Sequence, residues 1–178
     1  MKLTLLMAML PAVFILHDFE EIIMFKPWLS KNREELKRRF PKFEKFLERQ
    51  RFFDYSTSAF AVAVMHEFLL IAVVTYLSLC FNAYHWWFAA FSAYFLHLFA
   101  HIGQWIIYRK YVPVIITSFL TLPYCFYTFS LFSEAAYMNY NSMVIWALTG
   151  VILAILSFPS AFYTAYKFEK FKKKSYTV

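Results

Sequence analysis

The chain has 178 residues, of which 61% are hydrophobic and only 16% charged. Soluble domains carry about 45–50% apolar and about 25% charged residues, so this composition excludes an ordinary soluble fold and calls for lipid as the solvent. The net charge of +7 does not point to nucleic acid: ten of the 18 Lys and Arg lie between Lys26 and Arg51, two are Arg109 and Lys110, and five lie from Lys167 to Lys174, all gaps between apolar runs, where basic residues set membrane orientation.

In chain order the apolar runs are about Leu3–Phe25, Ala59–Phe81, Trp86–Tyr108, Val112–Phe132 and Met143–Tyr166. Each is near the ~20 residues that span a ~30 Å hydrocarbon core as a helix, and lipid obliges each segment to satisfy its own backbone amides. The expected fold is an all-α membrane protein, a single integral membrane domain over 1–178 with a bundle of about five transmembrane helices. The first run follows Lys2 but passes into His17-Asp18-Phe19-Glu20-Glu21 with no small-x-small site, so it reads as an uncleaved spanning helix rather than a signal peptide.

Between the first two spans, about 26–56, the ten basic residues mark a cytoplasmic loop. Asn32 and Glu35 have capping-box spacing, Pro41 divides the loop, and Phe43, Phe46 and Leu47 form an apolar stripe among Lys and Arg. That is the pattern of a helix lying on the anionic inner leaflet, with membrane lipid as its partner. The remaining loops agree in sign. Asn82–His85 lacks Lys and Arg, Arg109 and Lys110 follow the third span, Ser133–Asn141 carries only Glu134, and the tail is Lys-rich. The expected location is the cell membrane, multi-pass, with the N-terminus outside and the C-terminus cytoplasmic. Cys80 and Cys125 sit within apolar runs and indicate no disulfide framework.

A charge at bilayer depth costs at least ~2.5–3.5 kcal/mol, so ionisable residues there face a bundle interior and mark function. The first span carries His17, Asp18, Glu20 and Glu21, the second His66 and Glu67, and the third His97 and His101, with Gln104 one turn on. His17 lies nine residues before Lys26 and His101 eight before Arg109, which places both about 12–14 Å above the cytoplasmic helix ends. His66 enters from that side to a similar level. His17, Glu20 and Glu21 share one helical face, and His97 and His101 another.

Two His one turn apart, joined by donors from another helix, are common zinc or iron ligands. The metal candidates are therefore His17, His66, His97 and His101, with Glu20, Glu21 or Glu67 as catalytic ligand or base. Asp18 lies about 100° round the helix from His17 and is expected to support the ligands or face the cytoplasm. His85, beside Trp86 and Trp87, reads as an interfacial residue.

The run His17-x-x-Glu20-Glu21 resembles the motif of the HXXEE family of integral membrane proteins. That family also has a further histidine, here matched by His66, His97 or His101, and a Tyr-x-Pro-Gly motif. Tyr111-Val112-Pro113-Val114 resembles the latter with Val in place of Gly, which argues against a left-handed backbone at that point. The resemblance implies a membrane protein centred on this motif and names no reaction. Two functions fit such a layer: a metal-dependent membrane enzyme, hydrolytic before oxidative, acting on a lipid or small amphiphile, or a transporter or sensor of protons or metal ions. The lack of broken helix pairs favours the enzyme.

Overall fold

The computed structural model describes residues 2–175, which are helical throughout apart from short connections. The helices are α1 (Lys2–Ala8), α2 (Leu10–Arg39), α3 (Pro41–Arg49), α4 (Thr57–Cys80), α5 (Tyr84–Tyr108), α6 (Ile115–Glu134) and α7 (Tyr140–Ser175), with no strand among the described residues. Four of them, α4 to α7, are each long and apolar enough to cross a membrane, and α1 with α2 passes the same test only as a pair bent by 40° at Met9, a broken pair where the sequence led us to expect none. Pro11 fits the break, since at the start of α2 its missing N–H costs nothing. The all-α membrane bundle expected from composition is the fold observed.

The centre of the bundle is aromatic. Trp87 and Phe91 stack with centroids 4.9 Å apart, Phe132 lies 5.3 Å from Trp87, and the Trp87 indole donates to the Met7 carbonyl. These contacts tie α1, α5 and α6 into one wall. Where α5 meets α7 the backbones approach at Gly150, on which a Cβ would lie 2.0 Å from the Ala89 carbonyl oxygen. Outward-facing residues such as Ile107, Ile116 and Leu156 are about two-thirds exposed, as lipid contact requires and water would not tolerate over so large an area.

One end of the bundle differs from the loop expected there. No capping box opens at Asn32, because α2 runs unbroken through Pro27 to Arg39. The extension is held from outside the helix. Leu29 and Leu36, two turns apart, are buried with Tyr108, Val112 and Ile115. The Trp28 indole donates to the Tyr111 carbonyl, and the Asn32 side chain bridges the Trp28 carbonyl and the Tyr108 hydroxyl. Glu35 accepts from both Lys110 and Arg39. Those bonds hold its carboxyl down to about 2 from an ordinary 4.5, so the clamp is complete above the ordinary value and is lost only as pH falls toward 2.

After Phe40 the chain turns back. Pro41 opens α3, and Arg33 grips it through Glu44 and Glu48. Leu47 of the expected apolar stripe is buried against α2, while Phe43 and Phe46 remain about half exposed. The tail is helical too: α7 extends to Ser175, and Glu169 accepts from the Ser56 amide and hydroxyl at the start of α4.

Candidate metal centre

Helix α2 presents His17, Asp18, Glu20 and Glu21 over little more than one turn, and a helix spreads such a run over more than one face. Glu20 turns toward α6. Its carboxylate accepts from the Tyr111 hydroxyl at 2.8 Å, the Thr117 amide at 2.8 Å and the Thr117 hydroxyl at 2.7 Å. Thr117 is in the first turn of α6, whose N-cap, Val114, has no capping side chain. Glu20 therefore supplies from another helix the acceptor and negative charge that this N-terminus needs. Glu20→Ala should lower the unfolding midpoint in detergent by the equivalent of about 1–3 kcal/mol, and Glu20→Gln by less than half of that. No loss in either variant would mean that the cap contributes nothing.

Val114 itself has φ +68° and ψ 0°, the left-handed conformation that its identity argued against. The substitution of Val for Gly thus leaves the backbone geometry intact, at a cost of roughly 1–2 kcal/mol. The Val114 side chain is fully buried and the first turn of α6 is pinned by Glu20, and both offset that strain.

The rest of the layer gathers at α5. His97 and His101, one turn apart, face each other with Nε2 atoms 2.8 Å apart. His17 joins from α2 with ring centroids 5.6 Å from His97 and 5.4 Å from His101. One ring nitrogen from each of the three lies within 4.8 Å of the others. Ligands 2.0–2.1 Å from a common ion sit about 3 Å apart, so a small inward shift closes the set.

The outer hydrogen bonds also favour ligation. The Thr117 hydroxyl donates to Glu20, which leaves its oxygen to accept from His17 Nδ1 at 3.3 Å. His101 Nδ1 donates to Gln104 Oε1 at 3.3 Å. Each bond fixes the tautomer that turns an Nε2 lone pair toward the centre, the usual support of a metal-bound imidazole.

Asp18, expected at the margin, is brought in. It is 4% exposed and forms a second group with Glu21 and His97, again with ligand atoms within 4.8 Å of one another. Its Oδ1 lies 3.9 Å from His17 Nε2, and both atoms are buried without a hydrogen-bond partner. Leaving each so costs about 1–3 kcal/mol, which an ion between them would recover. His66 belongs to neither group. It faces α7, with Nε2 3.2 Å from the Ser160 hydroxyl and Nδ1 3.3 Å from Glu67, while Glu67 accepts from Ser157. His85, outside this layer, packs on Trp86 and Trp146. Thr117, from an apolar run with no His, Asp, Glu, Lys or Arg before Glu134, carried no signal in the sequence; only the fold sets it between Glu20 and His17.

A cavity of about 190 Å³ reaches the centre from the basic end of the bundle. His101, Glu21 and Gln104 line its polar part, and Trp28, Phe40 and Phe43 are among its apolar walls.

No curated protein and no solved structure matches the chain. The family described as "Protein of unknown function with HXXEE motif" matches residues 8–128, about two-thirds of the chain. The match takes in His17, Glu20, Glu21, His97, His101 and the Tyr111–Val114 turn. The chain belongs to the HXXEE family, and in it the two glutamates of the motif divide, Glu20 capping α6 and Glu21 joining a group of side chains able to hold a metal ion.

Proposed function

We propose that the protein is a membrane-embedded metal-dependent enzyme, hydrolytic in reaction class, acting on a lipid or small amphiphile at the cytoplasmic leaflet. The observation that carries this reading is the convergence of three imidazoles, two of them with outer nitrogens held by Thr117 and Gln104, at the foot of a largely apolar cavity. A divalent zinc or iron ion held there would acidify water and polarise a carbonyl. Water then adds across an acyl bond, its oxygen going to the acyl carbon and a proton to the departing alcohol or amine. Glu21 and His101 belong both to the candidate ligand groups and to the cavity wall, so substrate meets the centre at these two residues. Phe43 and Phe46, half exposed among basic residues on α3, suit the anionic headgroup region from which such a substrate comes.

The cytoplasmic assignment draws support from how the basic segments assemble. Lys110 pairs with Glu35, Lys26 donates to the Phe53 carbonyl, and Glu169 caps Ser56, so three separately basic stretches occupy one end of the bundle. In a variant lacking Cys80 and Cys125, a Cys at Asn141 should label from outside intact cells and one at Ser175 only after permeabilisation. The opposite pattern would reverse the orientation. The enzyme reading itself is tested by metal analysis of full-length protein purified in detergent without chelator, together with assay on ester and amide amphiphiles. Absence of any stoichiometric transition metal would overturn it.

A further inference from the structure

The donors around His97 fall into two groups, not one: His17, His97 and His101 on one side, Asp18, Glu21 and His97 on the other. The groups share His97, whose neutral ring has one lone pair to give, so together they offer three ligands to one ion and two carboxylates to a second, with positions left for water or substrate. They meet at His97 and at the pair of facing, unpartnered atoms His17 Nε2 and Asp18 Oδ1, 3.9 Å apart.

Charge makes a second demand. Asp18, Glu20, Glu21 and Glu67 bring four carboxylates into one layer of the bundle, and Asp18 and Glu21 have carboxylate oxygens within 4.8 Å of one another. The hydrogen-bond and ion-pair partners of these four in the structure are hydroxyls, one amide and histidines, with no Lys or Arg among them. Glu20 is matched by the N-terminus of α6 and Glu67 by His66 and Ser157, which leaves Asp18 and Glu21, with ligand atoms within 4.8 Å of one another, as the carboxylates that a second cation would hold. Burial of uncompensated charge at this depth is what a hydrocarbon surround penalises most.

We infer that the centre is dinuclear: one divalent transition-metal ion is held by His17, His97 and His101, and a second beside it by Asp18 and Glu21, with His97 at the junction. This inference rests on the metal-dependent reading above and gives it a form, since two ions would supply positive charge to both the attacking and the departing oxygen of a displacement. Glu21 is accordingly a ligand of the second ion, at the point where that ion meets the cavity.

The test is to strip the full-length protein in detergent and titrate it with Mn2+, counting bound metal per folded chain and recording its electron paramagnetic resonance spectrum. The expected result is two equivalents with an exchange-coupled signal, falling to one equivalent with an isolated-ion signal in Asp18→Asn. A single equivalent in the wild type, or an uncoupled signal at two equivalents, overturns the dinuclear centre and leaves the His-held ion standing. Two equivalents retained in Asp18→Asn overturns the ligand assignment. No binding at all overturns the metal reading itself. Should Asp18→Asn fail to fold, the wild-type count and signal still decide.

Discussion

His17→Ala, His97→Ala and His101→Ala are each expected to weaken metal binding by more than about 100-fold while leaving a monodisperse protein in detergent. Losing even an outer hydrogen bond to a ligand costs about 10–100-fold in affinity, and loss of the ligand itself must cost more. The stability cost should be modest. These imidazoles hydrogen-bond chiefly to each other, to Gln104 and to Thr117, and His17 Nε2 has no partner to lose. A network that merely packed the helices would give the opposite pattern: each substitution would lower the unfolding midpoint by the equivalent of about 1–3 kcal/mol and change metal content little. Inductively coupled plasma mass spectrometry on size-selected protein, beside thermal unfolding, separates the two. His66→Ala is the internal control. Its ring bonds to Ser160 and Glu67 on the α7 side, so it should leave metal content unchanged, and loss of metal in His66→Ala alone would contradict the ligand assignment.

Gly150→Ala should be strongly destabilising, in contrast to the same change at Gly103. A Cβ there would lie 2.0 Å from the Ala89 carbonyl oxygen, 2.6 Å from its carbon and 3.0 Å from its Cα. All three are backbone atoms of α5, so no side chain can swing aside, and the two helices must separate. Overpacking costs about 1–3 kcal/mol and more where the backbone has to move, which outweighs the roughly 1 kcal/mol that Ala gains over Gly inside a helix. Small residues at such crossings are how membrane helices obtain close packing without a hydrophobic drive. Gly103→Ala supplies the opposite sign: nothing lies within 4 Å of a Cβ at that position, so the propensity gain should appear as a midpoint raised by up to about 1 kcal/mol. Equal effects at the two glycines would show that the α5–α7 contact is looser than described.

The spans, and the side on which the basic residues gather, were legible in the sequence because lipid imposes a one-dimensional rule: some twenty apolar residues, then charge. The likeness in depth of His17 and His101 was legible too, since helical rise converts residue number into height. Height, however, says nothing of azimuth. His66 stands at a comparable count along α4 yet turns to Ser160 on α7, and Asp18, read as marginal, turns inward to Glu21 and His97. Which face of each helix looks inward depends on how α2, α4 and α5 are rotated against their neighbours, and that is settled by contacts between residues far apart in the chain.

The same cause separates the two ends of α2. Its span follows from local apolarity, but its continuation through Pro27 to Arg39 follows from Leu29, Asn32, Glu35 and Leu36 meeting Tyr108, Lys110 and Val112. Val114 is the plainest instance. Local preference speaks against a left-handed backbone at a β-branched residue, yet the buried position of its side chain and the hold of Glu20 on Thr117 impose one. Composition and period thus determined that this chain enters a membrane and where its ionisable layer lies. Tertiary packing alone decided which members of that layer touch, because long-range contacts outweigh local preferences of only a kcal/mol or two.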